Sequence, residues 1–183
     1  IAYGDGKFVV VEDGLGTASI SYDGLVWTTV TLPTASRYDD ICYGNGMFVV
    51  TTQSGYNIFL YSNDGINWNQ GTIPHNSFSA VAYGGGKFVI IPYNNDIGYY
   101  STDGINWFEN SVPKGNYNSV VYGNGKFVAV DGVGGNAFVY STDGITWTSG
   151  TLPLSGFWQI SFIKNMFIAA DKSSSAKKPT LYS

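Results

Sequence analysis

The chain has 183 residues, enough for one domain and too few for a linker and a second one. Charged residues make up 12% of it and aromatics 16%, so Ser, Thr, Asn, Gly and Tyr must cover much of the surface, as suits an extracellular or virion setting. The formal charge of −4 and a single arginine, Arg37, exclude a phosphate-tracking surface and with it nucleic acid, which is held by clustered Lys and Arg.

In chain order, the first element is Tyr3-Gly4-Asp5-Gly6-Lys7-Phe8, a tight glycine turn running into an apolar strand. It returns as Tyr43-Gly44-Asn45-Gly46-Met47-Phe48, Tyr83-Gly84-Gly85-Gly86-Lys87-Phe88 and Tyr122-Gly123-Asn124-Gly125-Lys126-Phe127, and in worn form as Phe162-Ile163-Lys164-Asn165-Met166-Phe167. About fifteen residues after each of the first four comes a second motif: Ser21-Tyr22-Asp23-Gly24-Leu25-Val26-Trp27, Ser62-Asn63-Asp64-Gly65-Ile66-Asn67-Trp68, Ser101-Thr102-Asp103-Gly104-Ile105-Asn106-Trp107 and Ser141-Thr142-Asp143-Gly144-Ile145-Thr146-Trp147. A period of about 40 residues carrying only strand signals predicts small antiparallel sheets that close into a ring. The expected fold is all-β, a five-bladed β-propeller in one domain over 1–183, with units at 1–33, 34–74, 75–113, 114–153 and 154–183.

Within a unit, the third being clearest, strands are expected at 78–83, 87–91, 97–101 and 105–111. Asp-Gly between strand-like runs predicts a type I′ hairpin, with Asp and Gly both at positive φ. Pro33, Pro74, Pro113 and Pro153 fall in the connections between units, where a missing N–H does no harm. The second strands, such as Phe88-Val89-Ile90-Ile91, are apolar without alternation, which requires cover on both faces. Trp27, Trp68, Trp107 and Trp147 are expected to pack against the adjoining sheet, and the Ser and Asp of each hairpin to bond turn amides. Truncating Trp107 to Ala is then expected to cost about 3 to 5 kcal/mol. The fifth unit reaches Ser183 without an Asp-Gly-x-x-Trp motif, so it should have three strands, with its outer edge at 179–183. A chain that starts at Ile1 instead of Met reads as a processed or excised piece.

Both motifs, at fixed phase over the whole chain, resemble the Asp-box, or BNR-like, repeats of β-propellers such as sialidases and bacterial exoproteins. They are still more similar to repeats in bacteriophage tail and receptor-binding proteins. One departure is that Gly directly follows Asp, where the usual box is Ser-x-Asp-x-Gly-x-x-Trp. The resemblance implies a propeller that binds a cell-surface glycan or host receptor, or docks other virion subunits.

Glycine turns and Asp-Gly hairpins should share one face of the disc, leaving the variable loops, and the ligand, on the other. Aligned units place Tyr38, Phe78, Tyr117 and Phe157 in one column at that mouth and Asp39, Ser79, Asn118 and Trp158 in the next. Aromatics beside amides and carboxylates suit sugar recognition, although regular aromatics also plug gaps between sheets. Trp158 breaks its column and is the better ligand candidate. A further column, Glu12, Thr52, Pro92, Asp131 and Asp171, is acidic in part, but Asp there more often caps a turn than holds a metal. The candidate ligand-binding residues are therefore Arg37, Tyr38, Asp39, Phe78, Tyr117, Asn118, Trp158 and Asp131, with no cofactor or metal.

Enzymatic readings fare poorly. Sialidase-like chemistry holds a substrate carboxylate with several arginines, against one here. Glu12 with Asp13, and Asp39 with Asp40, point to opposite sides of a strand and form no glycosidase pair. His75 is the only histidine, on a Pro-adjacent loop, and lacks the partners of a triad or zinc site. Cys42, between Ile41 and Tyr43, reads as a core thiol. No apolar run approaches the roughly 20 residues that cross a bilayer, so membrane insertion is not expected.

Overall fold

The computed structural model describes residues 1–52, 57–74, 78–171 and 181–182, and these are strands and turns throughout. The first sheet holds β1 (Ala2–Gly4), β2 (Lys7–Val11), β3 (Thr17–Ser21) and β4 (Thr28–Thr31), and the second β5 (Tyr38–Gly44), β6 (Met47–Thr52), β7 (Ile58–Ser62) and β8 (Asn69–Thr72). In the third unit β9 (Phe78–Gly84) is followed by β10 (Lys87–Ser101), which supplies both middle strands, and β11 (Phe108–Gly123) runs on from the outer edge of the third sheet to become the inner strand of the fourth. The fourth sheet continues with β12 (Lys126–Asp131), β13 (Ala137–Ser141) and β14 (Thr148–Thr151). The fifth has three strands among the described residues, β15 (Phe157–Ile163), β16 (Met166–Asp171) and β17 (Leu181–Tyr182). Every neighbouring pair is antiparallel and in chain order, the meander of a β-propeller.

The glycine turns are tight as expected, while the Asp-Gly motifs are not the two-residue type I′ hairpins expected of them. Gly44 pairs with Met47 and Gly123 with Lys126, so the glycine turns are the two-residue hairpins. Their central residues are both left-handed, as at Asn45 (φ 46°) and Gly46 (φ 75°), the type I′ geometry that matches strand twist. At the Asp-Gly motifs only glycine has positive φ, from 71° to 76° at Gly24, Gly65, Gly104 and Gly144. The strands there stop at Tyr100 and Phe108, so the loop spans seven residues and the fourth strand begins at Phe108, not Ile105.

Side chains organise that longer loop. The Ser62 hydroxyl donates to Asp64 Oδ1 (3.0 Å) and accepts the Gly65 N–H (2.8 Å), while Asp64 Oδ1 accepts the N–H groups of Ile66 (2.8 Å) and Asn67 (2.7 Å). Asp23, Asp103 and Asp143 accept the two equivalent backbone N–H groups of their own loops. Aspartate suits the position because one carboxylate oxygen can take several converging amides that would otherwise stay unpaired.

Four apolar cores lie between successive sheets. In the first, Val9, Ala18 and Ile20 meet Ile41, Phe48 and Val50; in the second, Val49 and Phe59 meet Val81, Phe88 and Ile90. The third and fourth join the remaining sheets in the same way. The second strands of the three middle sheets, β6, β10 and β12, therefore face one neighbour with their odd residues and the other with their even ones, which is why Phe88, Val89, Ile90 and Ile91 are all wholly buried. Full burial of each such side chain stabilises by about 1.5 to 3 kcal/mol.

Glycine is required at the inner strand ends by close approach. A Cβ on Gly4 would lie 2.0 Å from Tyr43 Cγ, one on Gly44 1.9 Å from Tyr83 Cγ, one on Gly84 1.9 Å from Tyr122 Cγ, and one on Gly123 2.2 Å from Phe162 Cγ. Each sheet thus seats an aromatic ring of the next. Among the described residues this contact is not repeated between the fifth sheet and the first: Ile163 occupies the glycine position of the fifth sheet and is 52% exposed, and Tyr3, the aromatic of the first, is 61% exposed.

Candidate functional site

The mouth is built by a backbone irregularity that recurs in four successive inner strands. Pairing slips by one residue between Tyr38 and Asp40, between Phe78 and Ala80, between Tyr117 and Ser119, and between Phe157 and Gln159. The extra residues are Asp39, Ser79, Asn118 and Trp158. A bulge leaves its extra residue out of the ladder and re-aims its side chain, so these four are placed alike while differing in chemistry.

The neighbouring aromatic column is interior. Tyr38, Phe78, Tyr117 and Phe157 are all buried, with Tyr38 donating its hydroxyl to the Thr34 carbonyl and Tyr117 its own to the Pro113 carbonyl (2.7 Å). Phe78 packs edge-on against Tyr99. These rings fill the gaps between sheets and offer no face to a ligand, which corrects the expectation that Tyr38, Phe78 and Tyr117 stack on a sugar. Burial pushes the Tyr117 hydroxyl up to about 12, with Asp131 adding to the effect.

Asp131 is buried and shapes its own loop, accepting the N–H groups of Val133 (2.9 Å) and Asn116 (3.4 Å). It caps a turn instead of facing a ligand. Glu12, in the same column, accepts the hydroxyls of Thr17 (2.6 Å) and Ser19 (2.7 Å). Among the described residues no three His, Cys, Asp or Glu side chains are grouped to hold a metal ion.

Asp39 and Trp158 remain open at the mouth, Trp158 at 39% exposure. Burial of the Asp39 carboxyl pushes it up to about 6, opposed by Arg37 and helped by Asp40 and Asp13. Water still reaches this exposed residue, which limits that push. Arg37 lies beside it, its Nε 3.4 Å from Asp13 Oδ1 in a solvent-exposed pair. The Asn118 Nδ2 is buried without a hydrogen-bond partner and lies over Gly132, where a Cβ would come within 2.0 Å of it.

A set of ties between inner strands went unread in the sequence. Asp40 Oδ2 accepts the Val81 N–H (3.1 Å) from the next sheet and its Oδ1 the Ile41 N–H (2.8 Å). Ser79 donates to the Tyr117 carbonyl, and Ser119 accepts the Ile160 N–H (3.2 Å). Burial raises the Asp40 carboxyl to about 6, against these two amides. No repeated letter marks these positions, Asp40 and Ser119 falling in one column with Ala80 and Gln159 and Ser79 in the column of Asp39, so nothing in the motif could have found them. The Cys42 thiol is pushed well up by burial, then by Asp40, and is protonated at neutral pH. His75, the cluster of Lys172, Lys177 and Lys178, and most of 179–183 lie outside the described residues.

A family model described as the DUF6242 beta propeller domain matches residues 23–166. No curated protein matches the chain. Among solved structures, virginiamycin B lyase from Staphylococcus aureus superposes with a TM-score of 0.82 at 16% identity, over 100% of this chain and 68% of that one. A streptogramin B lyase gives 0.79 at 15% identity over 93% and 60%. YCF48 from Cyanidioschyzon merolae gives 0.67 at 18% identity over 90% and 60%. The chain therefore spans 60% to 68% of the length of these three structures, and at such identities the likeness is one of fold.

Proposed function

The chain belongs to the DUF6242 β-propeller domain family, and on that footing we propose that it is a binding module without catalytic activity, taking a cell-surface glycan or host receptor at the mouth. The carrying observation is the shared bulge, which holds Asp39, Ser79, Asn118 and Trp158 at equivalent places in four inner strands. A half-open indole, with a carboxylate and an amide at the equivalent positions of other inner strands, suits the flat faces and hydroxyls of a sugar. The Asp-box-like repeats, and their similarity to those of phage tail and exoproteins, favour a virion tail or other extracellular assembly as the setting.

Catalysis is disfavoured by the engagement of the carboxylates. Asp40 and Asp131 spend their oxygens on backbone amides, which leaves Asp39 without a second free acid in its column. A hydrolase would show turnover that disappears in Asp39→Asn or Asp131→Asn. For the binding reading, a glycan array should give hits, and Trp158→Ala should weaken them at least tenfold while the urea midpoint stays put. An array without hits, together with no adsorption to any host cell, would sink it.

A second reading, a docking module for other virion or cell-surface subunits, is favoured by the exposed apolar residues of the fifth sheet, Ile163 and Met166. Deleting 179–183 separates the two readings, since docking should fail while sugar binding survives.

A further inference from the structure

Three of the four junctions between sheets are closed in the same way. The Asp-Gly hairpin of each sheet folds over the second strand of the sheet before it. A Cβ on Gly65 would lie 3.1 Å from Val9 Cγ2, one on Gly104 3.0 Å from Val49 Cγ2, and one on Gly144 2.9 Å from Val89 Cγ2. The hairpin's indole then enters the junction. Trp68 packs against the core of the first, Trp107 lies edge-on to Phe59 at 5.6 Å in the second, and Trp147 belongs to the core of the third.

The fourth junction differs. Its core of Val128, Val130, Phe157, Ile160 and Ala169 includes no indole. Where the other three hold one, a cavity of about 550 Å³ lies between the fourth and fifth sheets, lined by Lys126, Val128, Phe138, Tyr140, Leu152 and Phe167 among others. Two residues of the lining repeat the seat. Val128 stands in the column of Val9, Val49 and Val89, and Phe138 in the column of Phe59, which bears Trp107.

The strand leading to this place is already in register. Tyr182 pairs with Ile168 and Leu181 with Ala169, as Tyr140 pairs with Val128 and Val139 with Ala129. The residue after Tyr182 in sequence, Ser183, matches Ser141, the first residue of a hairpin motif.

We propose that this cavity is the seat of an Asp-Gly-x-x-Trp hairpin supplied by polypeptide following β17, which completes the fifth sheet and locks it to the fourth. The occupant is a segment of this repeat because the same wall holds that segment at three equivalent junctions, and because Tyr182 delivers the backbone to its first residue.

The test joins to Ser183 the chain's own sequence from 142–151, Thr-Asp-Gly-Ile-Thr-Trp-Thr-Ser-Gly-Thr, and compares it with the same extension carrying Ala for Trp. Tethering makes docking intramolecular, so weak affinity in trans is no obstacle. The Trp extension should unfold at a urea concentration about 1 M higher than the Ala control, and its added indole should resist acrylamide quenching. Equal midpoints would overturn the proposal. So would self-association of the 183-residue chain that Trp27→Ala abolishes, because a second copy's hairpin would then be the occupant.

Discussion

At the scale of single residues, burial at the junctions sets a graded series in one repeated side chain. Trp147 is 8% exposed, Trp68 and Trp107 are half-buried, and Trp27, in the first of the described sheets, is 40% exposed. Trp147→Ala is expected to cost about 3 to 5 kcal/mol, the half-buried pair less, and Trp27→Ala under about 1 kcal/mol. Urea midpoints of the four variants check the order, and an equal loss at Trp27 would refute it. The figure assigned to Trp107 from sequence thus belongs to Trp147. Glycine contacts are sharper still, because a Cβ on Gly84 would overlap the Tyr122 ring at 1.9 Å. Gly84→Ala should lower the midpoint well beyond what its loss of chain entropy returns, whereas Gly125→Ala, with nothing within 4 Å but φ at 74°, should suffer only backbone strain. Sequence could place these glycines and tryptophans in columns, since repetition shows phase. It could not rank them, because identical motifs read alike whether or not a neighbour covers them. The mouth aromatics failed for a related reason: Tyr38, Phe78 and Tyr117 form the same regular column whether they face a ligand or plug a gap.

At the scale of elements, the hairpin and the inner strand pull stability in opposite directions with pH. Asp143 is brought down to about 2, first by the Thr146 amide, and Asp103 also to about 2, where burial pushes up but the bonds from Asn106, Ile105 and Ser101 outweigh it. Asp64 is lowered further still, its bonds likewise outweighing burial. A carboxylate depressed in the fold contributes stability above its unfolded value near 3.9 that is lost as pH falls toward 2. Asp39 and Asp40 behave inversely, since burial raises both to about 6. Their contribution is complete below about pH 4 and declines as pH rises to about 6. Urea midpoints measured from pH 2.5 to 7 should therefore climb and then sag, with Asp103→Asn flattening the acid limb and Asp40→Asn the limb between 4 and 6. An acid limb unchanged by Asp103→Asn would remove the hairpin account. Elements were legible as strands and turns because Gly, Asp and Pro punctuate them at fixed spacing. The Asp-Gly turn was misassigned because Asp-Gly satisfies two geometries, and only the seven-residue spacing between Tyr100 and Phe108 distinguishes a side-chain-bonded loop from a two-residue turn. The bulges at Asp39, Ser79, Asn118 and Trp158 are pairing slips, which depend on the partner strand and leave no mark in the strand that carries them.

At the scale of the molecule, the two end sheets differ from the three between them. In β6 and β10, Phe48 and Phe88 are wholly buried, whereas the equivalent Phe8 of β2 is only half-buried, and Met166 opens β16 at 38% exposure. The residues left bare are those that would meet a preceding sheet, Tyr3, Phe8 and Trp27, and those that would meet a following one, Ile163 and Met166. Period and motif could not show this, since five like units can lie on a tight ring or along part of a wider one, and curvature is a property of the packed junctions. All of this chain follows virginiamycin B lyase at a TM-score of 0.82 while covering 68% of it. An arc of this kind predicts a gradient in hydrogen exchange, because a strand covered on one face opens at lower cost than one covered on both. Amides of β2, and of Ile168 and Ala169 in β16, should exchange at least tenfold faster than those of β6 and β12, although all of these residues lie in strands paired on both edges. Should β2 and β16 prove as protected as the middle strands, the end faces are in contact and five sheets close the ring by themselves. A gradient confined to β16 would mean that only the fifth sheet is loose, and the missing indole at the fourth junction would account for it without any wider curvature.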